Sequence, residues 1–126
     1  MTGCDRQSGV IMRIERELMR GAGPVTVLRL LTQREMYGYE LVEVLSRRTD
    51  GVLAMGQSTL YPLLYSLEAK GLLESHWREA PSGRRRKYYG LTAKGKTRLK
   101  AEQAQWRRLL RAMASLGLVG AAGSET

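Results

Sequence analysis

Residues 58–92 constrain the fold most tightly, because the period of their hydrophobic pattern changes midway. Leu60, Leu63, Leu64 and Leu67 recur at i, i+3, i+4 and i+7, the spacing of one buried helix face. Ser58 or Thr59 is positioned to cap this helix, Pro62 falls in its first turn, and Gly71 ends it. The period then becomes two. Leu73, Ser75 and Trp77 alternate with Glu74, His76 and Arg78, as in a half-exposed strand. Ala80-Pro81-Ser82-Gly83 supplies turn chemistry, and the run from Arg85 to Leu91 returns, giving a hairpin over residues 72–91.

The flanking segments read as helices. Ile11, Ile14 and Leu18 recur at helical spacing between Val10 and Arg20, and Gly21-Ala22-Gly23-Pro24 is expected to break that helix and open a second. The second carries Val25, Val27, Leu28, Leu30 and Leu31, apolar around much of its circumference. Behind the junction Met36-Tyr37-Gly38-Tyr39, the stripe Leu41, Val44, Leu45 marks a third helix that ends near Arg47-Arg48, before a turn at Thr49-Asp50-Gly51. Thr92 caps a last long helix from Ala93 to about Leu116. The expected order is four helices, a hairpin and a fifth helix, a mainly α fold with a small β-hairpin. Packed helices followed by a basic hairpin form a winged helix-turn-helix. Residues 1–8 and 117–126 read as tails, 9–91 as the helical and winged unit, and 92–116 as a dimerisation helix.

Charge narrows the partner. The 126 residues carry a formal charge of +9, from 21 basic and 12 acidic side chains. Such a surplus favours a polyanion, since each neutralised phosphate releases a counterion. Nucleic acid is the first candidate and an anionic membrane surface the second. No run approaches the roughly 18 apolar residues of a span, and no membrane partner is expected. The lone Cys4 and lone His76 lack metal-site spacing, and His76 has no charge partner in its local sequence. No phosphate loop, nucleophile elbow or dinucleotide fingerprint occurs, so neither enzyme activity nor a cofactor is expected. A cytoplasmic location follows from the cysteine usage and the polar N-terminus.

Two features point to duplex DNA. With its leucines turned inward, the helix at 58–70 presents Thr59, Tyr61, Pro62, Tyr65, Ser66 and Ala69, with Ser58 at its start and Gln57 just before it. A recognition helix uses such a neutral, hydrogen-bonding N-terminal end in the major groove. Beside it, Arg84, Arg85, Arg86 and Lys87 stand consecutively, and a phosphate backbone relieves their mutual repulsion.

Met36-Tyr37-Gly38-Tyr39-Glu40-Leu41, Ser58-Thr59-Leu60-Tyr61-Pro62-Leu63, Leu67-Glu68 with Gly71-Leu72, and the stretch Gly83 to Thr92 with Gly95 resemble the PadR family of bacterial transcriptional repressors. The likeness spans about residues 24–115 and is similar to the short subfamily with one C-terminal helix. It implies a winged-helix homodimer on operator DNA, often released by a small effector. It implies that Tyr37 and Tyr39 lie near the DNA backbone, that Ser58, Thr59, Tyr61 and Pro62 open the recognition helix, and that Arg84 to Lys87, with Tyr88, belong to the wing. Where family members often carry basic residues in that helix, this chain has Tyr65-Ser66, which shifts electrostatic load to the wing.

Leu99, Trp106 and Met113 fall seven apart, with Leu109 and Leu116 three after the last two and Leu110 beside them, a coiled-coil-like seam. A second copy of the chain, assisted by Ile11, Ile14 and Leu18, is the expected partner for this seam. Two-fold symmetry then sets two recognition helices about 34 Å apart on a palindrome. The resemblance adds a small aromatic effector stacked on Trp106, while Trp77 is expected to pack in the wing or core. A non-specific nucleic-acid module and a winged-helix adaptor for another protein stay open as rivals; sequence preference for one palindrome and self-association discriminate among the three.

Overall fold

The computed structural model describes residues 15–120. Among them, four helices rather than five carry the fold. Helix α1 (Arg16–Leu30) runs straight through the expected break at Gly21–Pro24. Pro24 lacks the N–H that would reach the Arg20 carbonyl, a defect that ordinarily ends a helix. Here packing outweighs it: Met19, Gly23, Val27, Leu28 and Leu30 are all buried. A side chain at position 23 would stand 3.3 Å from Leu63 Cδ2, so the missing Cβ lets α1 lie close on the leucine helix. Ile11 and Ile14 lie outside the described residues. Leu18 projects outward, 61% exposed.

A two-residue strand, β1 (Met36–Tyr37), precedes α2 (Gly38–Arg48). The Glu40 carboxylate accepts the Tyr37 N–H at 3.4 Å and the Arg34 guanidinium at 2.6 Å, supporting the start of α2 with the acid that a helix N-terminus favours. Helix α3 (Gln57–Ala69) begins one residue earlier than expected, with Gly56 as its N-cap. Neither Ser58 nor Thr59 caps it, and both remain exposed within the first turn. Leu60, Leu64 and Leu67 are buried and Leu63 is half-buried, as their periodicity requires.

Strands β2 (Leu73–Glu79) and β3 (Arg85–Leu91) form the hairpin within the expected bounds. The sheet has three strands in the order β1-β3-β2, all antiparallel. Met36 pairs with Tyr89 and Tyr37 with Tyr88. On β2, Ser75 pairs with Tyr89, Trp77 with Lys87 and Glu79 with Arg85. The pleat therefore divides the side chains. Met36, Tyr89, Ser75, Trp77 and Lys87 share one face, while Tyr37, Tyr88, His76, Arg78 and Arg86 share the other.

Helix α4 (Ala93–Ser115) is capped by Thr92, whose hydroxyl accepts the Gly95 N–H at 2.9 Å and donates to the Gly71 carbonyl at 2.7 Å. A Cβ on Gly95 would collide with the Leu72 carbonyl, so the hairpin root and α4 meet backbone to backbone. Leu99, expected on the dimer seam, is 4% exposed and belongs to the chain's own core with Leu28, Leu41, Leu60, Leu64 and Tyr89. The first turns of α4 lie close enough to the core to be claimed by it. Beyond Leu99 the helix leaves that cover: Leu109, Leu110 and Leu116 are exposed. No helix among the described residues is long and apolar enough to cross a membrane.

Candidate nucleic-acid interface

The start of α2, the outer side of α3 and the hairpin converge on one cleft of about 330 Å³. Tyr37 and Gly38 contribute from the β1–α2 junction, Tyr61 and Tyr65 from α3, and Trp77, Arg85, Arg86 and Lys87 from the hairpin. Its formation follows from local chemistry. Helical spacing sets Tyr61 and Tyr65 one turn apart on the flank of α3 beside the leucine face, with ring centroids 6.2 Å apart. The absent side chain at Gly38 admits the Tyr61 ring against the α2 backbone.

Aromatic faces and carboxylates hold the wing cations. The Arg86 guanidinium lies 4.8 Å from the Tyr37 ring centre, and Lys87 Nζ lies 5.5 Å from the rings of both Tyr65 and Tyr89. Lys87 also sits 3.8 Å from Glu68 Oε1, while Ser75 donates to the other oxygen of Glu68 at 2.5 Å. Glu68 thus ties both strands to α3 and offsets part of the charge on Lys87. On the opposite face Glu35 accepts from Arg78 at 2.9 Å and faces His76 Nε2 at 3.3 Å, giving that histidine the partner its local sequence lacks. Arg84 and Arg85, at and beside the turn, are exposed. Among the described residues no ion pair engages Arg84, Arg85 or Arg86.

Most expected contact residues are on the surface. Gln57, Ser58, Thr59, Pro62, Tyr65 and Ser66 are exposed on α3, and Tyr39 is exposed on α2. Glu43 raises the Tyr39 pKa above its ordinary 10.0, by hydrogen bonding first and by charge second. Thr59 turns from the cleft and lines a separate cavity of about 540 Å³ beside Arg16 and Arg20 of α1. Tyr88 departs from expectation: it is 5% exposed, covered by Tyr37 edge-on at 5.4 Å and by the Arg78 guanidinium at 3.9 Å. It braces the wing from within. Tyr89 is buried more deeply, and that burial pushes its pKa up to about 12.

Trp77 also departs from expectation. The strand carries it past the edge of the core and leaves it 57% exposed inside the basic cleft. Trp106 is half-buried beside a groove of about 440 Å³ between α1, α2 and α4, near Val25, Leu45, Leu53 and Leu110. Met113 is half-buried. Sequence reasoning missed Glu35, Glu68 and Gly38. Their partners lie on other elements; only the Tyr-Gly-Tyr spacing hinted at a close backbone approach. No cluster of three or more metal-ligating side chains occurs among the described residues.

A helix backed by leucines, flanked by a cationic hairpin and sharing one cleft with it, defines a winged-helix protein of the DNA-binding class. Residues 27–101 match the family model described as the transcriptional regulator PadR-like family. The chain belongs to that family of transcriptional regulators. It is 35% identical over 96 residues to the transcriptional regulator Rv3488 of Mycobacterium tuberculosis, a match spanning 76% of this chain and 86% of the relative. Among solved structures it is similar to a PadR family transcriptional regulator from Eggerthella lenta, with TM-score 0.69 and 38% identity, covering 79% of this chain and 85% of that one. A Streptococcus transcriptional regulator superposes with TM-score 0.73 at 33% identity, covering 82% and 99% respectively.

Proposed function

We propose that this regulator is a cytoplasmic repressor that binds a palindromic operator as a homodimer and is released by a small aromatic effector. The first two turns of α3, with Gln57, Ser58, Tyr61 and Pro62, enter the major groove. Arg84, Arg85 and Arg86 lie along the adjoining backbone or minor groove. The observation that carries this reading is the shared cleft, in which Tyr61 and Tyr65 of α3 stand with Arg85, Arg86 and Lys87 of the wing. A duplex laid on α3 meets both, and the cations without carboxylate partners lose their repulsion by meeting phosphates.

The dimer reading rests on the exposed leucines of α4, with Leu116 77% exposed and Leu109 and Leu110 also uncovered. Apolar surface of this kind on a helix stabilises association when another helix covers it. The Trp106 groove is the proposed effector site, where a stacked aromatic ring would bias the spacing of the two α3 helices.

Selection of bound duplexes from a random pool tests operator and symmetry together. The expected product is an inverted repeat whose half-site centres are about one helical turn apart, favoured over random duplex by about 10³ or more at physiological salt. Recovery without any repeat would leave a non-specific nucleic-acid module as the better reading, and no recovery would favour an adaptor.

A further inference from the structure

The wing carries one large aromatic side chain that the fold does not use. In the pleat row that faces α3, Leu73 is buried and Ser75 half-buried, yet Trp77, next in the same row, is 57% exposed. Directly across the ladder stands Lys87, two residues from Arg85, and all three line the cleft with Tyr61 and Tyr65. The exposed leucines of α4 are not part of this cleft. An indole framed by cations is a poor docking surface for an apolar protein partner, because burying it would also desolvate those charges. It suits a surface that is apolar and anionic at once, as the sugar-phosphate backbone is: the deoxyribose accepts the ring, and its phosphates accept Lys87, Arg85 and the indole N–H.

We infer that Trp77 is a further DNA contact, its ring lying on the backbone sugar beside the groove entered by α3 and its Nε1–H donating to a phosphate oxygen. The inference rests on the proposed DNA-binding reading and adds an uncharged contribution to it. Binding through Trp77 holds the wing at a fixed depth, independent of base sequence and largely of salt.

The test is an anisotropy titration of a labelled selected duplex and a labelled random duplex with wild type, Trp77→Ala and Trp77→Phe across a salt series. Intrinsic emission is read on the same samples. Trp77→Ala is expected to weaken both duplexes about five- to tenfold and to leave the slope of log K against log salt unchanged, since the substitution removes no charge. Trp77→Phe should recover most of the affinity, and wild-type emission should change more on saturation than that of Trp77→Phe, which reports Trp106 alone. Wild-type affinity in Trp77→Ala, or equal emission changes in wild type and Trp77→Phe, would overturn the contact while leaving DNA binding intact. If Trp77→Ala melts below the assay temperature, the emission comparison decides alone. Failure of the wild type to bind either duplex would overturn the DNA-binding reading and this contact with it.

Discussion

Gly38 and Tyr61 touch where α2 meets α3: a side-chain carbon at position 38 would stand 2.5 Å from both the hydroxyl oxygen and Cε1 of Tyr61. That distance is far inside van der Waals contact, so one of the two must yield. The tyrosine ring is the free end of a side chain and the α2 backbone is not. Gly38→Ala should therefore move Tyr61, lowering duplex affinity about tenfold, or roughly 1.4 kcal/mol, with a modest fall in Tm because the Tyr61 ring also packs against the core. In a Tyr61→Ala background the same substitution should have almost no further effect. A double-mutant cycle read by anisotropy measures that coupling.

The wing cations should differ in their salt signatures. Arg85→Ala and Arg86→Ala should each reduce the slope of log K against log salt by about one, because a phosphate left without its arginine keeps its condensed counterion. Lys87→Ala should change the slope less, since Glu68 at 3.8 Å already offsets part of its charge. Equal slopes for all three variants and wild type would remove the wing from the interface.

Gly95 faces the Leu72 carbonyl with no room for a Cβ, and backbone cannot swing aside as the Tyr61 ring can. Gly95→Ala should separate the hairpin root from α4 and destabilise the fold by about 1–3 kcal/mol, measured by urea unfolding. Binding at temperatures where the variant is folded should be affected much less than in Gly38→Ala.

Tyr89 gives the fold an alkaline limit. Its pKa rises from the ordinary 10.0 to about 12 because its phenol is buried among Tyr65, Glu68 and Tyr61. Between these values the folded chain holds a proton that the unfolded chain has released. Stability is therefore full below pH 10 and falls as pH climbs towards 12. Thermal melts from about pH 9 to about pH 12, which span that window, should show a decline that Tyr89→Phe reduces.

Much of this is legible in the sequence for a physical reason: the leucines of α3 and the alternation of β2 are strong local patterns, and the turn at 80–84 has its own chemistry. The hairpin, α3 and α4 consequently lie within a residue or two of their expected bounds. The expected break at Gly21–Pro24 is absent because propensity is local, whereas the burial of Gly23 against Leu63 that sustains α1 is not. β1, two residues long, has too little length for any period to show. Alternation correctly assigns Trp77 to the row of Leu73, but a period carries no information about where the core ends. Tyr88 reads as an outer residue because it adjoins four cations; the pleat and the Arg78 side chain cover it instead.

The α4 leucines lead to a separate expectation. Leu109→Glu combined with Leu116→Glu should yield a monomer in sedimentation equilibrium with unaltered helicity, and should weaken binding to an inverted repeat far more than to a single half-site. Both positions are exposed in the chain itself, so the change carries little cost to its own fold.

The shared α3 and wing surface is tested most directly by mapping amide chemical shifts as a selected duplex is added. Ser58, Tyr61, Tyr65 and the run Arg84 to Lys87 should move together in one titration. Helix α4 has its own cations, Lys94, Lys96, Arg98, Lys100, Arg107, Arg108 and Arg111, and offers a rival basic surface. Shifts concentrated there, with α3 and the wing silent, would contradict the account.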